Sequence, residues 1–269
     1  MRHWLRLITV ALFIATAHAA DRPPLRIGWT AWSDAEAVTR LAADILESRL
    51  DQPVELVLLD IGIQYQGVAN GDIDAMLMAW LPLTHKPYMD KVGDQVVNLG
   101  PLYTRARLGW VVPDYIPRDQ LNSITDLEDR KLARKLKNRI HGIDPGAGLM
   151  QASEQAILDY GLDRYRLVSS SGAGMTAALS RAIKRKKWIV VTGWTPHWKF
   201  ARWDLKYLED PKGLYGGADQ IHTIVRKGLK TEMPEVYRVL DQFHWTPDEM
   251  AKLIVWNQEK GSDHYENAK

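Results

Sequence analysis

Four short segments gather the residues most suited to recognition chemistry. They are Gly28-Trp29-Thr30-Ala31-Trp32-Ser33-Asp34, Ala79-Trp80-Leu81-Pro82-Leu83-Thr84-His85, Gly142-Ile143-Asp144-Pro145-Gly146-Ala147-Gly148-Leu149-Met150 and Thr192-Gly193-Trp194-Thr195-Pro196-His197-Trp198. Three of the four place Trp beside Gly, Pro or Thr, outside the apolar stripe of any helix. The chain carries 11 Trp against only 3 Phe. Phe is the ordinary apolar filler, so the excess of indoles asks for a use beyond packing. An indole face joins a negative quadrupole to apolar area, which suits a cation covered in methyl groups. A quaternary ammonium has no N–H to donate and is weakly hydrated. Each indole contact is worth about 0.5–2 kcal/mol, and three or four together could reach micromolar binding, roughly −8 kcal/mol. Any single Trp among them reads equally well as a core indole; the argument rests on their recurrence at strand ends.

The third segment offers the opposite pole. Gly146-Ala147-Gly148 precedes a helix, and unpaired N–H groups at a helix start bind anions with help from the dipole. A carboxylate held there needs no Lys or Arg. His85, five residues after Trp80, could add one more hydrogen bond. The glycines match neither G-x-x-x-x-G-K-[ST] nor G-x-G-x-x-G, and Ser171-Gly172-Ala173-Gly174 reads as a plain helix start. Nothing points to catalysis: there is no G-x-S-x-G, no H-E-x-x-H and no Cys, and His141, His197 and His222 are scattered. The expectation is a binding protein, not an enzyme, with no catalytic residue, no metal and no cofactor.

Strands and helices alternate to position these segments. Leu25–Trp29 reads as a strand, followed by a helix opened by a capping box over Ser33–Glu36. Val54–Leu59 is a continuous apolar run, expected to be a strand buried on both faces. A helix over Gly62–Asn70 ends at Gly71, and Ile73–Ala79 is the next strand. Val96–Leu99 and Leu108–Val112 are read as two more. Ile140–Ile143 is a strand, Gly148–Tyr160 a helix, Thr176–Lys187 a helix and Trp188–Thr192 a strand. The basic run Arg130–Arg139 is read as a solvated helix face. Ile221–Val225 is the last strand, and Thr246, Pro247 and Glu249 cap a closing helix. Repeated βα units imply parallel sheets flanked by helices, and ligands bind beyond the carboxyl ends of such strands. Residues 20–112 and 209–269 are assigned to one lobe and 113–208 to a second lobe inserted into it. Two crossings between lobes make a hinge over an interdomain cleft, a preferred place for a small molecule.

Residues 1–19 have a basic start (Arg2, Arg6), an apolar run from Leu7 to Ala15 and the small-x-small sequence Ala17-His18-Ala19. This reads as a cleaved secretory signal peptide; the apolar run is short for a membrane anchor. The leader holds two of the 35 basic residues and no acidic one, so 33 basic remain against 33 acidic. Zero net charge argues against nucleic-acid binding. With no Cys to carry a lipid, the product is expected to diffuse freely in a periplasm.

Together these residues resemble the substrate-binding proteins of glycine betaine/proline betaine (OpuAC-type) ABC importers. The likeness covers about 25–265 and is carried by GIDPGAGLM (Gly142–Met150), VTGWTPHWKFARWDLKYL (Val191–Leu208) and WLPLTH (Trp80–His85). It implies an α/β, periplasmic binding protein-like (type II) fold, with two lobes of parallel-rich sheets joined by a two-strand hinge. Its function would be to capture a quaternary ammonium compound and deliver it to an inner-membrane permease. It also implies a Trp cage for the trimethylammonium group and a clamp for the carboxylate. By motif, Trp80 and Trp194 are cage walls, His85 bonds the carboxylate, and Gly148 and Leu149 give the backbone-amide pair. Trp32 is the third wall, with Trp29 as its rival. Asp34 either meets a ligand hydroxyl, as in choline-binding relatives, or belongs to the helix cap. Trp198 and Trp203 are assigned to packing. The alternatives are choline or carnitine on the same scaffold, or a ligand-sensing module. One ligand per monomer is expected.

Overall fold

The structure, a computed structural model, describes residues 22–269. The expected signal peptide and its cleavage site lie outside the described residues. The chain runs β1 (Leu25–Trp29), α1 (Ser33–Leu50), β2 (Val54–Leu58), α2 (Ile61–Asn70), β3 (Ala75–Leu81), α3 (Lys86–Val92), β4 (Val96–Pro113), α4 (Arg130–Lys135), β5 (Arg139–His141) and α5 (Gly148–Asp159). It continues through β6 (Arg166–Val168), α6 (Gly172–Lys184), β7 (Val190–Thr195), α7 (Lys199–Arg202), β8 (Leu205–Tyr207), β9 (Asp219–Arg226), α8 (Leu229–Glu232), α9 (Pro234–Asp241), α10 (Pro247–Trp256) and α11 (His264–Ala268).

The strands lie in the order β2-β1-β3-β9-β4-β7-β5-β6, with β8 on β4. Pairing is parallel at both outer ends, where βα units alternate: β1 with β2 and β3, and β5 with β6 and β7. It is antiparallel in the middle, where β9 pairs β3 and β4, and β4 pairs β7 and β8. The fold is thus mixed α/β, and its antiparallel part is made by the strands that carry the chain between halves.

β4 is one strand where the sequence suggested two. From Val96 to Ala106 it pairs β9, and from Arg107 to Val111 it pairs β7. Arg105, just before the exchange, has φ +63, a left-handed conformation that non-glycine residues rarely adopt. β4 thus changes partner from β9 to β7 between Ala106 and Arg107. Partner exchange within a continuous strand leaves no turn residue to mark it. On the return, Glu209 still donates its N–H to the Asn122 carbonyl, Tyr160 donates to Asp210, and Tyr215 pairs Ser153. Residues 209–215 thus still bond residues of the 113–208 stretch.

Two local expectations are corrected. β2 is an edge strand of alternating exposure, not one buried on both faces; its last residue, Leu58, is 58% exposed. The capping box at Ser33 does not form, because α1 begins one residue earlier with Trp32 as its N-cap and no side-chain cap bond. Glu36 instead pairs Arg40 at 3.0 Å and His264 at 2.9 Å. The other box does form: Thr246 and Glu249 exchange bonds at the start of α10. α2 ends as the sequence suggested, with Gly71 at φ +80. At α6, Ser171 accepts from the Gly174 N–H and the helix starts at Gly172, as the Ser171–Gly174 sequence suggested, four residues ahead of the Thr176 read as the start of the helical run.

Candidate ligand-binding site

A small cavity lies between the two halves of the sheet, at the carboxyl ends of β1, β3, β5 and β7. It is lined by Trp32, Trp80, Thr84, His85, Leu108, Ile143, Ala147, Gly148, Leu149 and Trp194. All six principal residues expected from the motifs are thus brought around one space.

Trp80 comes from β3, which is buried along its whole length. His85 follows the turn after β3 and is 1% exposed. Two bonds fix their relation: the Trp80 N–H donates to His85 Nδ1 at 3.0 Å, and the His85 N–H donates to the Trp80 carbonyl at 2.8 Å. Since Nδ1 accepts, the proton of the neutral ring sits on Nε2, leaving one outward donor. Burial pushes the imidazole down to about 3, so the ring is neutral near pH 7. Tyr65 packs edge-on against this ring, with centroids 5.8 Å apart. Asp219 at the head of β9 accepts the N–H groups of Leu83 and Thr84 and the Thr84 hydroxyl, which holds the loop carrying His85.

Gly148 and Leu149 open α5. Its N-cap, Ala147, has no side-chain cap bond, and among the described residues the Gly148 and Leu149 N–H groups have no acceptor. Both residues are buried and line the cavity. Unpaired buried N–H groups at a helix start call for an anion or acceptor. With His85 Nε2–H they make up to three uncharged donors, and no charged side chain lines the cavity. A Cβ built on Gly148 would lie 2.6 Å from the Thr84 carbonyl oxygen and 3.0 Å from His85 Cδ2. Glycine is what lets α5 come this close to the opposite half.

The three lining indoles, Trp32, Trp80 and Trp194, are each at most 6% exposed. Trp32 donates its indole N–H to Asp144 at 2.9 Å, and Trp194 donates its own to Asp34 at 3.0 Å. Both bonds run between the halves, as do those joining Tyr88 to Gly146 and Gln151. Trp29 lies elsewhere: it carries the Arg40 guanidinium 5.8 Å from its ring centre and faces a neighbouring groove with Trp198 and Trp203. Asp34 neither lines the cavity nor caps α1 through its side chain. Burial pushes its carboxyl up to about 6 despite the Trp194 bond. Lys199, fully buried, places Nζ 4.2 Å from the Trp194 ring centre, and burial holds its amine well below the ordinary lysine range.

Motif reading missed several residues. Leu108, Ile143 and Ala147 are apolar wall, indistinguishable in sequence from ordinary core. Asp144 and Asp219 act across 112 and about 135 residues, respectively, which no local pattern reports. For Asp144, the one visible sign was its place inside the Gly142–Met150 segment.

In chemical terms the cavity has an aromatic end for a soft cation and a donor end for a carboxylate. Comparison with known proteins agrees. The model of the substrate binding domain of ABC-type glycine betaine transport systems (OpuAC) matches residues 23–269. The glycine betaine/carnitine transport binding protein GbuC of Listeria monocytogenes is 52% identical over 128 residues, 47% of this chain and 43% of that protein. The match thus spans less than half of that relative's length. Lactococcal OpuAC, crystallised closed with glycine betaine, is 42% identical with a TM-score of 0.85, covering 92% of this chain and 94% of that one. ProX, a glycine/betaine/L-proline-binding protein from Borrelia burgdorferi, is 36% identical with a TM-score of 0.86, covering 91% of each chain. The chain belongs to the family of substrate-binding domains of ABC-type glycine betaine transport systems.

Proposed function

We propose that this protein captures glycine betaine between two lobes and delivers it to an ABC permease in the inner membrane. One observation carries the reading: Trp32, Trp80 and Trp194 surround a cavity whose other end holds His85 Nε2–H and the free N–H groups of Gly148 and Leu149. In this reading the trimethylammonium head sits among the indoles, where desolvated contacts strengthen. Its carboxylate takes the three donors. The lobes are the two halves of the sheet, hinged within β4 and after Tyr215. Ligand contacts drawn from both halves favour the closed state over the open one, which is the condition for ligand-driven closure.

A choline reading would need an acceptor for the hydroxyl. Asp34, the candidate, is engaged by Trp194 and does not line the cavity, which favours a carboxylate ligand. The matching family is one of transport substrate-binding domains, which supports a binding role. Among the described residues no helix is long and apolar enough to cross a membrane. In this reading the protein is a periplasmic monomer, exported by its signal peptide, that meets the membrane through its permease.

Isothermal titration against glycine betaine, choline and carnitine tests the proposal, with Trp80→Ala as control. Tightest binding to glycine betaine, abolished in Trp80→Ala, is expected. Preference for choline, or an undisturbed Trp80→Ala, overturns it.

A further inference from the structure

Two carboxylates outside the cavity hold its walls in a reciprocal way. Trp32 belongs to the first half and its N–H bonds Asp144 of the second; Trp194 belongs to the second half and its N–H bonds Asp34 of the first. The partners are 112 and 160 residues apart in sequence, so neither bond is a local turn contact. Resting on the quaternary-ammonium reading, we propose that Asp34 and Asp144 are positioning residues. Each locks the cage tryptophan of the opposite half, so the aromatic walls are fixed in place only when the halves close.

An indole has one donor, aimed in the plane of its ring. A carboxylate at the end of that vector fixes both side-chain torsions, and such charge-assisted bonds are stronger than neutral ones. Cation recognition depends on which way the ring face points. Fixing the ring therefore matters more here than in a plain core, where an indole can be held by shape alone.

A second observation singles out Asp34. Its other oxygen is buried without a partner, and so is Lys199 Nζ behind the same indole. An unpaired buried acceptor costs about 1–3 kcal/mol, so a carboxylate kept there purely for packing would be a poor choice. Burial favours the neutral Lys199 amine and the Asp34 carboxylate opposes that shift, so the two buried groups are coupled behind the same ring.

Two double-mutant cycles, read by isothermal titration with glycine betaine, test the brace. Asp34→Ala and Asp144→Ala should each weaken binding roughly ten- to hundredfold, while neither lowers the unliganded melting temperature enough to account for that loss. Asp34→Asn, which keeps an acceptor, should retain more binding than Asp34→Ala. Trp194→Phe and Trp32→Phe keep an aromatic face but lose the donor; on those backgrounds the matching Asp→Ala change should cost less than about threefold. In the liganded protein each Asp→Ala change should speed hydrogen exchange of its own tryptophan's indole N–H and not of the other's. Equal losses on Trp and Phe backgrounds would show the carboxylates acting on ligand or fold directly, and would overturn the brace. Unchanged affinity in both Asp→Ala variants would overturn it as well. If wild type fails to bind glycine betaine, the functional reading falls and takes the brace with it; if wild type binds and the cycles are additive, the brace alone falls.

Discussion

His85 shows how much of a residue's role is set by its neighbours. The sequence identifies it through its spacing from Trp80, but the tautomer follows only from the Trp80 N–H that occupies Nδ1. A neutral Nε2–H donor bonds an anionic carboxylate more strongly than the neutral hydroxyl of choline. His85→Ala should therefore weaken glycine betaine by roughly tenfold or more, as loss of a hydrogen bond to a charged group implies. Choline should change little; equal losses for both ligands, measured by titration, would place His85 in the fold and not the clamp. Asp34 gives a second prediction at this scale, and its sign opposes that of His85. The buried neutral imidazole contributes stability above pH 6.5 that is lost as pH falls toward about 3. The buried protonated carboxyl contributes stability below pH 3.8 that is lost as pH rises through about 6. Asp34→Asn removes the second effect while leaving its neighbours Trp194, Lys199 and Tyr103 in place. Between pH 3.8 and 6 the variant should gain about 3 kcal/mol on wild type. Urea unfolding at the two ends of that range checks it, and a pH-independent difference would rule out the buried, protonated state. The supporting residues were illegible in sequence for a simple reason: Asp219, Asp144 and Lys199 act through folding distance, and a lone Asp or Lys carries no local signature.

At the scale of elements, the start of α5 does the most. The motif announced its glycines as an approach for a ligand's backbone contact. The structure adds a second reason, since at Gly148 the opposite half comes as close as the ligand does. A methyl group there meets the Thr84 carbonyl at 2.6 Å, and backbone cannot swing aside as a side chain could. Gly148→Ala should therefore leave the open protein intact, even firmer by up to about 1 kcal/mol from helix propensity. It should block closure and reduce glycine betaine affinity by more than about a hundredfold, as loss of several kcal/mol of interlobe and clamp contacts implies. Scattering with and without ligand, beside calorimetry, separates these effects; normal compaction in the variant would remove the steric argument. Elements with a strong local code were legible: α2 with its glycine stop, α5, and α10 with its Thr246 box. β4 was not. Its residues pair one half and then the other without a break, and its exchange point is marked by Arg105 in an unusual conformation, which sequence does not display. The Ser33 box failed because Trp32, a cage residue, takes the capping position; local preference yielded to the site.

On the proposed reading the whole molecule meets a zwitterion without presenting a charged side chain to it: the cage uses quadrupoles, the clamp uses backbone and imidazole N–H groups, and residues 20–269 hold as many basic as acidic residues. Asp34 and Lys199, both fully buried, lie behind the Trp194 wall. Ionic strength therefore has little to act on. Screening at about 10 Å in 0.1 M salt weakens exposed charges at a distance, but it does not enter a closed cavity. A zwitterion also carries no net charge to be steered by a surface field, so salt should hardly alter its association rate. Glycine betaine affinity should change by less than about threefold between 0.05 and 0.5 M sodium chloride. A clamp of exposed Lys or Arg would instead lose affinity steadily over that range. Titration across the salt series decides between the two designs: a steep decline would mean that surface charge, not the enclosed indoles and N–H groups, holds the ligand.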